Sequence, residues 1–156
     1  MGRAKPELAG ARAALAASLL REPLVSPGSS LLGVIKHLVL LERLWFAHTF
    51  AGLDVALEDP HDHPPIGWPL DHSDTPRSVL GQYRAECRRS RGILERAGLD
   101  DVSARPIAGA GEVVLRMVVL HMIEQTNRHA GHADVLRCLI DGATGAPSPA
   151  GATPWS

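Results

Sequence analysis

Apolar residues recur every three or four positions along most of this chain, a period that puts them on one face of a helix rather than on alternate faces of a strand. Four segments carry the pattern. The first, near Pro6 to Leu20, is rich in alanine and leucine and stops before Arg21-Glu22-Pro23. Pro27-Gly28-Ser29-Ser30 predicts a turn with Ser29 or Ser30 as the cap of a second helix, running from about Leu31 to Phe50 and closing near Gly52. Asp74-Thr75-Pro76 has the cap-then-proline order of a third helix start. That helix continues to about Ala97, with Val79, Leu80, Tyr83, Cys87 and Leu94 as its inner face. The fourth runs from about Gly111 to Ile140 and stops before Gly142. With little strand signal left over, the pattern predicts an all-α protein, a four-helix bundle.

Between the second and third helices the pattern breaks. Asp59-Pro60-His61-Asp62-His63-Pro64-Pro65-Ile66-Gly67-Trp68-Pro69 has too many prolines for a regular helix and predicts a long proline-rich loop, with Ile66 and Trp68 packing down on the body. From Ala143 onward glycine, proline, alanine and serine dominate. One domain over residues 1–145 is expected, with 146–156 as a flexible C-terminal tail.

Composition narrows the function classes. The 156 residues are 45% hydrophobic but only 4% aromatic, which suits closely packed alanine-, leucine- and valine-rich helices. A formal charge of −1 argues against a nucleic-acid binder. Arg84, Arg88, Arg89, Arg91 and Arg96 of the third helix read instead as a solvated face, offset by Glu86 and Glu95. Cys87 and Cys138 lack any metal-binding spacing and fit a reducing compartment as helical core residues. No secretion signal is visible, and the most apolar run, Val113 to Ile123, is too short to span a bilayer. A cytoplasmic protein without a membrane partner is expected.

The fourth helix carries the candidate chemistry. At about 100° per residue, His121, Gln125, Arg128, His129 and His132 share one stripe. On the second helix, His37 and His48 lie eleven residues apart, close to three turns, and so are expected to share a face with Leu41 and Leu44. A lone histidine on an apolar face is more often a hydrogen-bonded core residue. Two histidine-bearing helices in one bundle favour a metal site instead. Gln125 and His129 have the i, i+4 spacing, and His37 could complete a set of three. His132 is an alternative partner for His129. His121 and His129, roughly 12 Å apart along the axis, cannot share one ion. The loop histidines His61, His63 and His72 have no fixed geometry. Ser29, Ser30 and Ser90 lack a nucleophile elbow, and no phosphate-binding glycine loop is present.

These residues also match a family pattern. Val119-Leu-His121-Met-Ile-Glu-Gln-Thr-Asn-Arg-His129-Ala-Gly-His132-Ala-Asp-Val-Leu-Arg137 resembles the last bundle helix of DinB-like proteins. More narrowly, it is similar to an actinobacterial subgroup related to the N-terminal domains of mycothiol-dependent maleylpyruvate isomerases. Leu32-Gly-Val-Ile-Lys-His37-Leu, Glu42-Arg-Leu-Trp45-Phe46, Trp68-Pro-Leu, Tyr83-Arg-Ala-Glu86 and Leu99-Asp100-Asp101 match in the same order, so the likeness covers roughly Pro23 to Gly145. The resemblance implies a DinB-like bundle holding a divalent ion, zinc or nickel, through His37, Gln125 and His129. It places His121, Arg128, His132 and His48 around the ion or beside the substrate. The middle ligand of that set is usually a glutamate or histidine, and here it is Gln125. An amide oxygen is a weaker zinc ligand and leaves the ion's charge uncompensated.

The implied activity is a metal-dependent thiol S-transferase, with mycothiol or another low-molecular-weight thiol and an electrophile as its small-molecule partners; a homodimer is expected because bundles with long apolar helices commonly dimerise. The isomerases carry a further C-terminal domain, so isomerisation itself is not expected. The alternative is a non-catalytic bundle, a ligand-binding or dimeric scaffold module whose metal site Gln125 has weakened.

Overall fold

The computed structural model describes residues 15–24, 29–57, 70–107 and 109–142. Residues 15–21 are helical and form α1. The chain then builds α2 (Leu31–Glu42), which runs directly into a π-helical segment, Arg43–Phe50, followed by α3 (Pro76–Leu94) and α4 (Leu115–Asp141). No strand forms among the described residues. Isolated bridges pair Val102 with Val114 and Ile107 with Gly111. The expected all-α bundle is what the residues build.

Local chemistry sets each boundary. Ser30 adopts extended backbone angles, and its hydroxyl accepts from the Gly33 N–H at 3.1 Å, capping α2. Thr75 and Ser78 exchange side-chain and backbone hydrogen bonds in a capping box before α3, with Pro76 in the first turn. α4 starts without a side-chain cap. Its first free N–H groups find loop carbonyls instead: Leu115 donates to Asp101 at 2.9 Å and Arg116 to Leu99 at 2.8 Å. The helix starts four residues after the expected Gly111, because apolar Val113 and Val114 continue the helical period while their backbone is committed to Ser103 and Val102. At the other end Gly142 takes φ 71°, the left-handed conformation that closes the helix. α3 likewise ends earlier than expected, at Leu94, with a turn through Ala97.

The π-helical segment is the main departure from the expected second helix. Its end is explicit in the Ala51 N–H donating to the Phe46 carbonyl, five residues back, at 3.0 Å. The carbonyls it leaves exposed are taken by a crossing segment: Ala104 donates to Phe50 at 2.9 Å and Arg105 to Thr49 at 3.0 Å. Gly52 allows this crossing, because a Cβ there would lie 2.8 Å from that of Ala104 and its φ is 66°.

α2 is the central helix, packed on α3 and on α4, whereas α3 and α4 have little direct contact with each other. Phe46, Phe50, Ile93, Leu115, Val118 and Met122 form the largest part of the core, with Trp45 and Leu41 against it. The inner face of α3 is Val79, Glu86, Ser90 and Ile93, rotated from the expected one; Leu94 is exposed and Cys87 only half-buried. Glu86 belongs inside because it is neutralised there. Arg43 grips one carboxylate oxygen through Nε at 3.0 Å and Nη2 at 2.9 Å, and Arg89 takes the other at 2.8 Å. Cys138, expected in the core, is exposed. Leu115 is fully buried in the cluster, so Leu115→Ala should cost about 2–5 kcal/mol in urea unfolding.

Candidate functional site

The α2–α4 contact brings His37 and His129 together. Their ring centroids are 4.6 Å apart and the planes meet at 67°. His129 lies on the same face of α4 as buried Met122 and Leu136, seven residues to either side, which aims its ring inward. Its Nδ1 is buried with no hydrogen-bond partner. An unpaired buried nitrogen costs about 1–3 kcal/mol and calls for an explanation such as a bound ion.

Both rings are held neutral. Burial, with the His129 ring beside it, pushes the His37 pKa down to about 4. Burial also lowers that of His129, with further contributions from His132 and Arg128. Neutral imidazole is the metal-binding form, so neither ring must shed a proton at pH 7. Two imidazoles bound tetrahedrally at about 2.0–2.1 Å hold their centroids roughly 5 Å apart, close to the observed 4.6 Å. The centroid spacing is compatible with a divalent ion shared by the two rings. Gln125, half-buried one turn before His129, is the amide on the same stripe. Among the described residues no group of three His, Cys, Asp or Glu side chains could hold a metal.

The lowered His37 pKa has a consequence for the metal-free protein. Unfolded His37 takes up a proton near pH 6.5, whereas folded His37 resists until about 4. Between those values the unfolded chain holds more protons, so stability is full above about 6.5 and declines as pH falls toward 4. Glu42, whose pKa is raised, acts in the opposite sense, so the contribution is isolated by comparison with His37→Gln. Thermal melts between about pH 7.5 and 4.5 should show a flatter profile for His37→Gln.

The other predicted residues disperse. His48 does not share the His37 face: the π turns take an extra residue each, and His48 meets Arg105 on the crossing segment, with Nε2 3.1 Å from Nη1. Arg105 also donates to the Gly52 carbonyl at 3.0 Å. Burial and the Arg105 charge lower the His48 pKa. His121 packs its ring on Trp45, with centroids 4.1 Å apart. Arg128 is exposed and paired with Glu124. His132 is half-buried one turn beyond His129. His72 is exposed in a turn, and His61 and His63 lie outside the described residues, as do Ile66 and Trp68.

A second polar group went unrecognised in the sequence. Glu42, at the end of α2, lines a cavity of about 520 Å³ between α3 and α4, with Phe46, Cys87, Ser90, Met122 and Thr126. The Ser90 hydroxyl donates to Glu42 Oε2 at 2.5 Å. Burial raises the Glu42 pKa; the Ser90 bond opposes the rise and the Glu86 charge adds to it. Burial also raises the Tyr83 and Cys87 pKa values, so Cys87 stays a thiol rather than a nucleophilic thiolate. A carboxylate at the end of the apolar run Leu38-Val39-Leu40-Leu41 was the available signal for this group.

No helix among the described residues is long and apolar enough to cross a membrane. A family model described as mycothiol-S-transferase matches residues 4–142. No curated protein and no solved structure matched the chain.

Proposed function

This chain belongs to the mycothiol-S-transferase family, a DinB-like family, and on that premise we propose that it transfers the sulfur of mycothiol or a similar small thiol to an electrophile with the help of a divalent ion, zinc or nickel. The observation that carries the reading is the pair of neutral imidazoles, His37 and His129, in ring contact with a buried Nδ1 unpaired. These two residues would hold the ion, with Gln125 as the weak third donor.

A bound divalent ion stabilises thiolate over thiol, raising the nucleophile concentration at neutral pH. In the transfer the thiol S–H proton passes to solvent, the sulfur forms its bond to the electrophilic carbon, and the leaving group departs with the bonding pair. The chain's own part is to keep His37 and His129 unprotonated and to orient them. Trp45 fixes the His121 ring one helical stretch away, and the buried Met122 and Leu136 hold the inward register of His129.

A competing reading, a non-catalytic ligand-binding or scaffold bundle, is favoured by Gln125 and by the lack of a three-residue His, Cys, Asp or Glu set among the described residues. Turnover separates the two. Mycothiol consumption with monochlorobimane should be metal-dependent in the wild type and absent in a chelator-treated sample. A protein inert at all metal concentrations would sustain the scaffold reading. Gln125→Glu supplies a charged oxygen at the middle position and should tighten zinc binding several-fold in competition titrations; unchanged affinity would mean that residue 125 is not a ligand.

A further inference from the structure

The cavity between α3 and α4 is not explained by the histidine pair. Its volume of about 520 Å³ is ample for a small organic molecule. Most of its wall is apolar, contributed by Phe46, Met122, Leu94 and Ile123, and its polar feature at the end of α2 is Glu42 with Ser90. Arg91 stands at the exposed edge of the same wall. Thr126 lines the cavity from α4 three residues before His129, roughly 4.5 Å along the axis, so the cavity reaches within a turn of the proposed metal ligand.

We propose that this cavity is the electrophile site, and that it takes an uncharged, apolar carbonyl compound whose oxygen accepts a hydrogen bond from the Glu42 carboxyl. This rests on the transferase reading above and adds the class of acceptor substrate. The Ser90 hydroxyl already donates to Oε2, and among the described residues no hydrogen bond reaches Oε1. A protonated carboxyl satisfied at one oxygen by a donor presents its own O–H to a ligand acceptor. Burial favours that form and the Glu86 charge adds to it, while the Ser90 bond opposes it. On α3, Ser90, Cys87, Tyr83 and Glu86 face the carboxyl and Arg91 lines the same space, while Met122, Thr126 and Asn127 of α4 line it without a charge. A carboxylate-bearing ligand reaching Glu42 would set its charge against this acidic group within an apolar wall, which disfavours it there; Arg91 is the group that would hold an anion instead.

The test is calorimetric titration with three unreactive probes of one size: the ketone 1-tetralone, the hydrocarbon tetralin and the anion 1-naphthoate. None needs thiol or metal. Wild-type protein should bind the ketone at least tenfold more tightly than the other two. Glu42→Gln, which keeps an N–H donor, should retain most of that preference. Glu42→Leu should lose it, and Thr126→Phe should weaken ketone binding at least tenfold by filling the space. Equal binding of ketone and hydrocarbon, preference for 1-naphthoate at Arg91, or indifference to Thr126→Phe would each overturn the proposal. So would absence of binding by a wild-type protein whose cavity is closed by a second copy, read from light scattering. If the variants fail to fold, the wild-type ratio of ketone to hydrocarbon still decides. A protein that shows the ketone preference but transfers no thiol refutes only the transferase reading. Thiol transfer that 1-tetralone does not inhibit refutes only the cavity assignment.

Discussion

Replacement of His129 by alanine is expected to lower kcat/KM for thiol transfer roughly 10²-fold or more while leaving the bundle folded. His129 is only half-buried, and its Nδ1 has no protein partner, so truncation breaks no hydrogen bond that supports the fold. It even removes an unsatisfied buried nitrogen. What it does remove is one of the two imidazoles that meet between α2 and α4. His37 alone, its pKa still lowered by burial, would be left without the second imidazole. Steady-state kinetics beside a thermal melt would check both halves. Unchanged kinetics would detach the histidine pair from the chemistry, and a large fall in Tm would assign His129 to packing.

Asp74→Ala should give the largest loss of stability. Lys36 and Asp74 are both buried, and their charges meet at 2.9 Å, with the Asp71 N–H adding a bond to the same carboxylate oxygen at 2.8 Å. Arg21 donates to the backbone carbonyls of Asp71 and Asp74, tying α1 to the same corner. Removing the close partner of a buried pair costs about 3–5 kcal/mol, an upper bound here because Lys36 keeps Asp71 Oδ2 at 3.8 Å. For a chain of this size that corresponds to a fall of roughly 6–20 °C in Tm. Burial alone would raise the Asp74 pKa, but the Lys36 hydrogen bond, the Asp71 amide and the charges of Lys36 and Arg21 outweigh it and hold it below the ordinary 3.8. The associated stability is therefore present above about 3.8 and is lost as pH falls further. The double substitution Lys36→Met, Asp74→Leu should cost much less than the sum of the singles. Additive losses in urea titrations would show that the two charges do not depend on each other.

The helices were legible because their signals are local. Ser30, the Thr75-Pro76 start and Gly142 mark boundaries that the structure places within a residue or so of expectation. The π segment was not legible, since nothing in Arg43-Leu-Trp-Phe-Ala-His-Thr-Phe50 distinguishes it from an α-helix. Its cause is the crossing of Ala104 and Arg105 over its end, a contact made across more than fifty residues. That displacement is why His48 faces Arg105 and not His37. Likewise, Glu86 read as one of the charges offsetting a basic surface, and only the approach of Arg43 from the preceding helix reveals a buried, doubly paired carboxylate. The His37–His129 pairing was anticipated from two histidine stripes and a family resemblance. The Glu42 cavity depends on how far α3 and α4 splay, which no local pattern encodes.

The most direct measurement is the metal content of untagged wild-type protein by elemental analysis, with His129→Ala prepared in parallel. Near-stoichiometric zinc or nickel in the wild type, lost in the variant, is the predicted result. A wild-type protein that is empty as purified and takes up no added zinc or nickel at micromolar concentration would contradict the account.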